Sequence, residues 1–492
     1  MRQTARVPAE DPGVGTRTLR GMFWAYGSYV GGRLLVLCSI AILARLLTPA
    51  DFGLVAIAFT ATVILDGITD LSLSQALIVA DDEDVERRAD TAWTVNMLVA
   101  VTLTLATVLF APAAARFFEA DELRTLLPVL AVNFILRAAG TTHFALAQRQ
   151  IDFRTRTVAE MADVVVRGAV GIGLALAGAG AYSLVGGYLA GSLVLTATLW
   201  ILLPWRPRVR IRRDDLRAML GFGGGLTAVG LMSVAISNAD YVLIGRELGQ
   251  TQLGLYTLGY RLPELLILNL AIVAGMVLFP AMVGVARAGL ADAFLTSLRY
   301  TLVVAAPLAV GLAILAEPLV LVLFGDQWRS SVAVMQVLAL FSFAYAIEIP
   351  AGTAYKSIGR VDVILMLAVP RTILAVAGIL LFVDRGIVAV AVSQAAVAAL
   401  FAVIGSICAA RMLGTGGRRI WRAAWPVLAA AAALGATLWI VTYLIEDPYL
   451  CIAAGAALGA PVYLGCLWLV SRDVLEKLWR LAFPDGARGS GG

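Results

Sequence analysis

The chain has 492 residues, 60% of them hydrophobic and only 14% charged, with a formal net charge of +5 and a mean hydropathy of +0.88. No soluble core can absorb that much apolar surface, so composition excludes a soluble globular protein and points to a polytopic membrane protein. Cys38, Cys408, Cys451 and Cys466 all fall in apolar runs and His143 is the only histidine, which argues against a disulfide framework or a metal cluster.

A spanning helix needs about 20 mostly apolar residues. After a polar, arginine-bearing stretch from Met1 to Arg20 with no cleavage pattern, such runs are expected near 20–44, 53–79, 91–115, 123–147, 156–178 and 180–203. They resume near 219–245, 253–282, 294–324, 332–355, 361–383, 386–410, 423–445 and 449–470, which makes fourteen. With the N-terminus placed in the cytoplasm, about 27 basic residues fall in inside loops and tails and about six outside, so both termini are expected to be cytoplasmic.

The longest polar connection, from Pro204 to Arg217, carries six arginines and divides the spans six and eight. At membrane level it reads as a cytoplasmic linker on anionic headgroups, and a nucleic-acid role is not expected. The expected class is therefore all-α: a lobe at 1–203, a basic linker at 204–218, a second six-helix lobe at 219–412, two further spans at 413–471, and a tail at 472–492. Six spans per lobe, an even number, make the lobes parallel repeats. A shift of 201 positions supports this, laying Arg45 on Arg246, Leu47 on Leu248, Gly53 on Gly254 and Leu54 on Leu255.

The stretch Leu43-Ala44-Arg45-Leu46-Leu47-Thr48-Pro49-Ala50-Asp51-Phe52-Gly53-Leu54 resembles the first interhelical turn of Wzx-type polysaccharide flippases of the MOP superfamily. Asp240-Tyr241-Val242-Leu243-Ile244-Gly245-Arg246, Leu253-Gly254-Leu255-Tyr256 and Leu278-Phe279-Pro280-Ala281 are similar to that family's spans 7 and 8. The resemblance, especially to exporters of colanic-acid and xanthan type, implies two six-helix lobes around a central cavity that opens alternately to either side. It implies a lipid-linked oligosaccharide as substrate, membrane lipids around it, and polysaccharide polymerase and export machinery as partners, in a bacterial inner membrane.

Charges inside spans are costly and so mark candidate sites. Arg33 lies roughly 18 Å along the first span at 1.5 Å per residue. Arg33, Arg137, Arg261 and Arg371 are candidates for a cationic lumen, because guanidinium donates in pairs to pyrophosphate oxygens and stays charged at any working pH. Only Lys356 and Lys477 are lysines, so arginine at any one position also reflects the chain's overall composition. Arg261 alternatively pairs with Glu264 at i+3 beside Pro263.

Asp66 and Asp70, one turn apart, with Asp163, Asp240 and Glu348 are candidates for coupling to H⁺ or Na⁺; no other cofactor is expected. Glu160, Asp163 and Arg167 share one helix face, where a neutral Asp163–Arg167 pair is the plainer expectation, and His143 reads as a packed residue. No phosphate-cradling Gly-x-x-x-x-Gly-Lys-Ser/Thr loop occurs, which argues against direct ATP use. Two rivals to a flippase are a cation-coupled drug antiporter, whose lumen would be dominated by carboxylates, and a membrane polymerase or ligase of surface glycans, which would need essential residues in outside loops.

Overall fold

The computed structural model describes residues 31–69, 85–150, 152–217, 238–272 and 289–472, with Leu73, Leu77, Val234, Gly275 and Met282 besides. Among the described residues the secondary structure is helical, and nine helices are long and apolar enough to cross a membrane. Most of the expected span at 219–245, together with Asp70, lies outside the described residues. Two compact units divide the chain: one runs to Thr48 and from Ile57 to Asn238, the other takes Pro49–Ala56 and everything from Ala239.

The first unit comprises α1 (31–46), most of α2 (Pro49–Thr69), α3 (Val85–Phe117), α4 (Leu123–Arg149), α5 (Phe153–Leu176) and α6 (Ala181–Leu202). Helix α5 begins where the Asp152 side chain accepts the Thr155 N–H at 3.0 Å, and its bonds from Thr155 hold the Asp152 carboxyl below its usual range. The join to α6 is only a few residues long because Gly178 and Gly180 take φ of 80° and 53°. Helices α5 and α6 then pack backbone to backbone, since a side chain at Gly187 would press on the Arg167 carbonyl. Thr196 of α6 donates to the Leu136 carbonyl at 2.8 Å, and Trp200 donates to that of Ala139 at 2.9 Å, which fixes α6 on α4.

The second unit holds α7 (Ala239–Glu247), α8 (Gly249–Pro263), α9 (Leu290–Ile314), α10 (Ala316–Leu323), α11 (Val332–Ser357), α12 (Val361–Phe382), α13 (Ile387–Met412), α14 (Gly417–Leu444) and α15 (Pro448–Val470). Helix α8 passes into a π-helical turn over Glu264–Leu268, directly after Pro263, whose ring nitrogen has no N–H for the α ladder. The run expected as one span at 294–324 is instead α9 and the short α10. They break at Leu315, and Pro318 then falls in the first turn of α10, where its missing N–H costs no helix bond.

Helices α14 and α15 join the second unit's core. Tyr463 of α15 donates to the Val303 carbonyl of α9 at 2.8 Å, and Leu434, Leu438 and Leu467 pack with Phe294, Leu298 and Leu302 in one cluster. The start of α2 belongs to this unit because of its glycine: a methyl at Gly53 would overlap the Gln250 carbonyl, and one at Gly254 would overlap that of Pro49. The shift of 201 that relates Gly53 to Gly254 also relates Pro49 to Gln250, so the two turns meet through reciprocal copies of one contact. Only glycine permits that approach. Phe52 packs beside it, edge-on to the buried Trp328 at 5.1 Å between ring centroids.

Candidate functional site

In the first unit, Arg137 of α4 reaches across to Asp66 of α2 at 2.6 Å. The two are 71 residues apart, and they meet because Thr62 and Asp66 on α2 face Leu130, Asn133 and Phe134 on α4 around a small hollow closed by Tyr188 of α6. Asp163 holds Arg167 one turn along α5 with two contacts of 2.7 Å, and the Arg167 guanidinium lies over the Tyr188 ring at 4.5 Å. Tyr188 therefore stands between two ion pairs, one interhelical and one within a helix, and the edge of Phe59 fixes its ring at 4.7 Å. Glu160 turns away from this face and pairs with Arg156 at 3.6 Å. Asn133, buried in the wall of the hollow, has a side-chain oxygen with no hydrogen-bond partner among the described residues.

In the second unit, Arg371 of α12 forms an ion pair with Glu348 of α11, and both side chains are mostly buried. Arg371 also lies over the Tyr345 ring at 4.7 Å. From there a row of rings runs through Phe341 to Tyr260, with centroids 6.2 and 6.0 Å apart, ending beside Arg261. Arg261 pairs with Glu264 at 3.2 Å, within the segment where α8 gives way to the π turn. Asp240 accepts the Tyr256 hydroxyl at 3.0 Å and the Tyr241 N–H at 3.0 Å. One oxygen of Glu348 has no hydrogen-bond partner among the described residues.

Of the arginines singled out by the sequence, Arg137, Arg261 and Arg371 each hold a carboxylate, and Arg33 stands half-buried on α1 beside Gly32, which packs on Met161. The carboxylates Asp66, Asp163 and Glu348 are the partners of arginines, whereas Asp240 is held by tyrosine and backbone donors. Burial supplies the reason: an unpaired guanidinium in an apolar interior costs far more than a paired one. Sequence reasoning passed over Tyr188, Tyr345 and Asn133. The signal for the tyrosines was faint, an aromatic residue near an intramembrane arginine with no spacing rule to join them. His143 is a packed residue, buried between Trp200 and Trp205 with ring centroids 4.9 Å from each. No group of His, Cys, Asp and Glu suited to a metal ion occurs among the described residues.

The pattern of a family described as "Polysaccharide biosynthesis protein" matches residues 42–333. The succinoglycan biosynthesis transport protein ExoT of Rhizobium meliloti (strain 1021) is 28% identical, over 96% of this chain and 97% of its own. The lipopolysaccharide biosynthesis protein WzxC of Escherichia coli (strain K12) is 23% identical, over 74% of this chain and 75% of its own. Among solved structures, the lipid II flippase MurJ in an inward closed conformation superposes with a TM-score of 0.75 at 15% identity, covering 92% of this chain and 100% of that one. An inward-facing MATE family multidrug transporter of the MOP superfamily gives 0.62 at 16% identity, over 78% of this chain and 94% of its own. At these identities the structural likeness is one of fold.

Proposed function

The chain belongs to the polysaccharide biosynthesis protein family, and on that premise we propose that it is a flippase for undecaprenyl-pyrophosphate-linked oligosaccharide repeat units. It is a membrane transporter, with the fold shared by MurJ and MATE proteins, and not an enzyme. In this reading it works by alternating access in a bacterial inner membrane, carrying its substrate to the outer leaflet for exopolysaccharide or lipopolysaccharide assembly.

The observation that carries the reading is the set of intramembrane arginines held by carboxylates, Arg137 with Asp66 and Arg371 with Glu348 foremost. In the empty carrier each carboxylate keeps its arginine affordable inside the membrane. A pyrophosphate offers more charge and a bidentate match to the guanidinium fork, so it can displace the carboxylate. The displaced carboxylate then takes up a proton or a sodium ion, which would link substrate movement to an ion gradient. An apolar groove of about 300 Å³ between α9, α11 and α14, lined by Ala306, Val310, Phe343, Leu428 and Gly435, suits one segment of the much larger lipid tail.

Flipping of a labelled undecaprenyl-pyrophosphoryl oligosaccharide in proteoliposomes tests this, comparing wild type with Arg33→Ala, Arg137→Ala, Arg261→Ala and Arg371→Ala. The expected result is transport by wild type and its loss in folded Arg137 and Arg371 variants. Normal transport by all four would reject the arginine site. Expulsion of organic cations by a wild type that flips no lipid under H⁺ or Na⁺ gradients would favour the antiporter.

A further inference from the structure

Between Leu203 and Arg217 the chain leaves α6 and crosses the end of α3 as a strap held by its ends and its backbone. At one end Trp205 packs on the cluster of Ala89, Ala92 and Leu146, and its carbonyl accepts from His143 Nε2 at 3.3 Å. At the other end Leu216 packs on the same cluster, and the buried Asp215 holds Arg87 of α3 at 3.0 Å. Between these anchors the Arg208 N–H donates to Asp90 Oδ1 at 3.0 Å and the Arg210 N–H to Thr94 Oγ1 at 3.2 Å. Two N–H groups at i and i+2 turned to one side are the mark of an extended chain, whose side chains alternate between two faces.

That alternation sorts the strap. Arg208, Arg210 and Arg212 fall on one face and Val209 and Ile211 on the other, with Arg213 following. All four arginines are exposed, and none forms an ion pair among the described residues; Asp90 accepts a backbone N–H, Asp215 holds Arg87, and Asp214 follows them exposed. Val209 is 78% exposed and Ile211 50%, a cost in water that is relieved only against apolar matter. Trp200 at the end of α6 and Trp205 within the strap both pack on His143, and tryptophan is the residue type that marks the level of the membrane interface.

We propose that this strap is a docking site for anionic phospholipid of the surrounding bilayer. Its arginines take the headgroup phosphates and Val209 and Ile211 enter the acyl boundary. The free apolar face argues for a lipid over an acidic protein segment, which would satisfy the arginines and leave Val209 and Ile211 in water. Fixing the strap through backbone bonds leaves the guanidiniums available and costs little side-chain ordering until a headgroup arrives.

The test is native mass spectrometry of the full chain in neutral detergent, titrated with phosphatidylglycerol, phosphatidylcholine or a soluble poly-glutamate peptide. Wild type is compared with R208Q/R210Q/R212Q/R213Q and with V209S/I211S, and thermal unfolding in the same detergent checks that each is folded. Wild type is expected to prefer phosphatidylglycerol over phosphatidylcholine by about tenfold or more, a preference that weakens with salt. The arginine variant should lose that preference, and the Val209/Ile211 variant should bind phosphatidylglycerol several-fold more weakly. An undiminished preference in the arginine variant would overturn the proposal. So would tight binding of poly-glutamate that V209S/I211S leaves untouched, which would make the strap a protein-docking site.

Discussion

Among the charges singled out inside the spans, each unit has one arginine–carboxylate pair that joins two helices and one within a single helical segment, yet the two units arrange them differently. In the first, Asp66–Arg137 and Asp163–Arg167 converge on one ring, Tyr188. In the second, Glu348–Arg371 and Arg261–Glu264 lie at opposite ends of the row Tyr345, Phe341 and Tyr260. The interhelical pairs also differ in exposure: the Arg137 side chain is 51% exposed, the Arg371 side chain 23% and that of Glu348 19%. The same chemical pair is thus partly open at the protein surface in one unit and enclosed by protein in the other.

The sharpest way to break this comparison is Glu348→Ala, which leaves Arg371 buried and uncompensated. It should cost about 3–5 kcal/mol of stability, read as a large fall in unfolding temperature in detergent, with recovery in the double variant Glu348→Ala/Arg371→Ala. Asp66→Ala should cost less, about 1–2 kcal/mol, because half of the Arg137 side chain is not enclosed by protein. Equal losses from the two would show that the units are alike after all.

Replacing the rings separates the arrangements further. Tyr188→Leu removes a cation–π contact worth about 0.5–2 kcal/mol and loosens both pairs of the first unit, whereas Tyr345→Leu affects Arg371 alone. A double-mutant cycle should therefore couple Tyr188 to both Asp66 and Asp163, and Tyr345 to Glu348 but not to Glu264. Asp152→Ala, a loss of about 1 kcal/mol from the cap of α5, distinguishes a loosened helix from a broken pair. Because the Asp152 carboxyl is held below its usual range, its cap contributes above the unfolded value of about 3.9 and fades as pH falls through the lower folded value. The variant and wild type should then converge in stability at low pH. Glu264→Gln should change stability least, by about 0.2–0.5 kcal/mol, since a pair three residues apart on one helical segment is local. A clear loss of transport in that folded variant would give the pair a role its energetics do not require.

Much of the fold was legible because a bilayer imposes length and apolarity on every span. The Asp163–Arg167 and Arg261–Glu264 pairs were equally legible, since spacings of four and three residues place side chains together on any helix. Asp70 lies outside the described residues, so the idea of paired carboxylates on α2 rests on Asp66 alone, and Asp66 is already held by Arg137. The break at Leu315 was not legible, because the apolar run continues through it and proline does not mark it: Pro307 sits inside α9, while Pro318 falls just after the break.

What the sequence by itself determined is the class, the number and order of the apolar runs, the repeat that relates Gly53 to Gly254, and the contacts that stay within one helix. Tertiary structure alone decided that Arg137 meets Asp66, that Arg371 meets Glu348, that the two glycine turns pack through reciprocal carbonyl contacts, and that the arginine strap is pinned by its backbone. The physical reason is that helices apolar on nearly every side carry no stripe to show which face turns inward. Their rotation and neighbours are set by close backbone approach at small residues and by the few polar groups that must find one another.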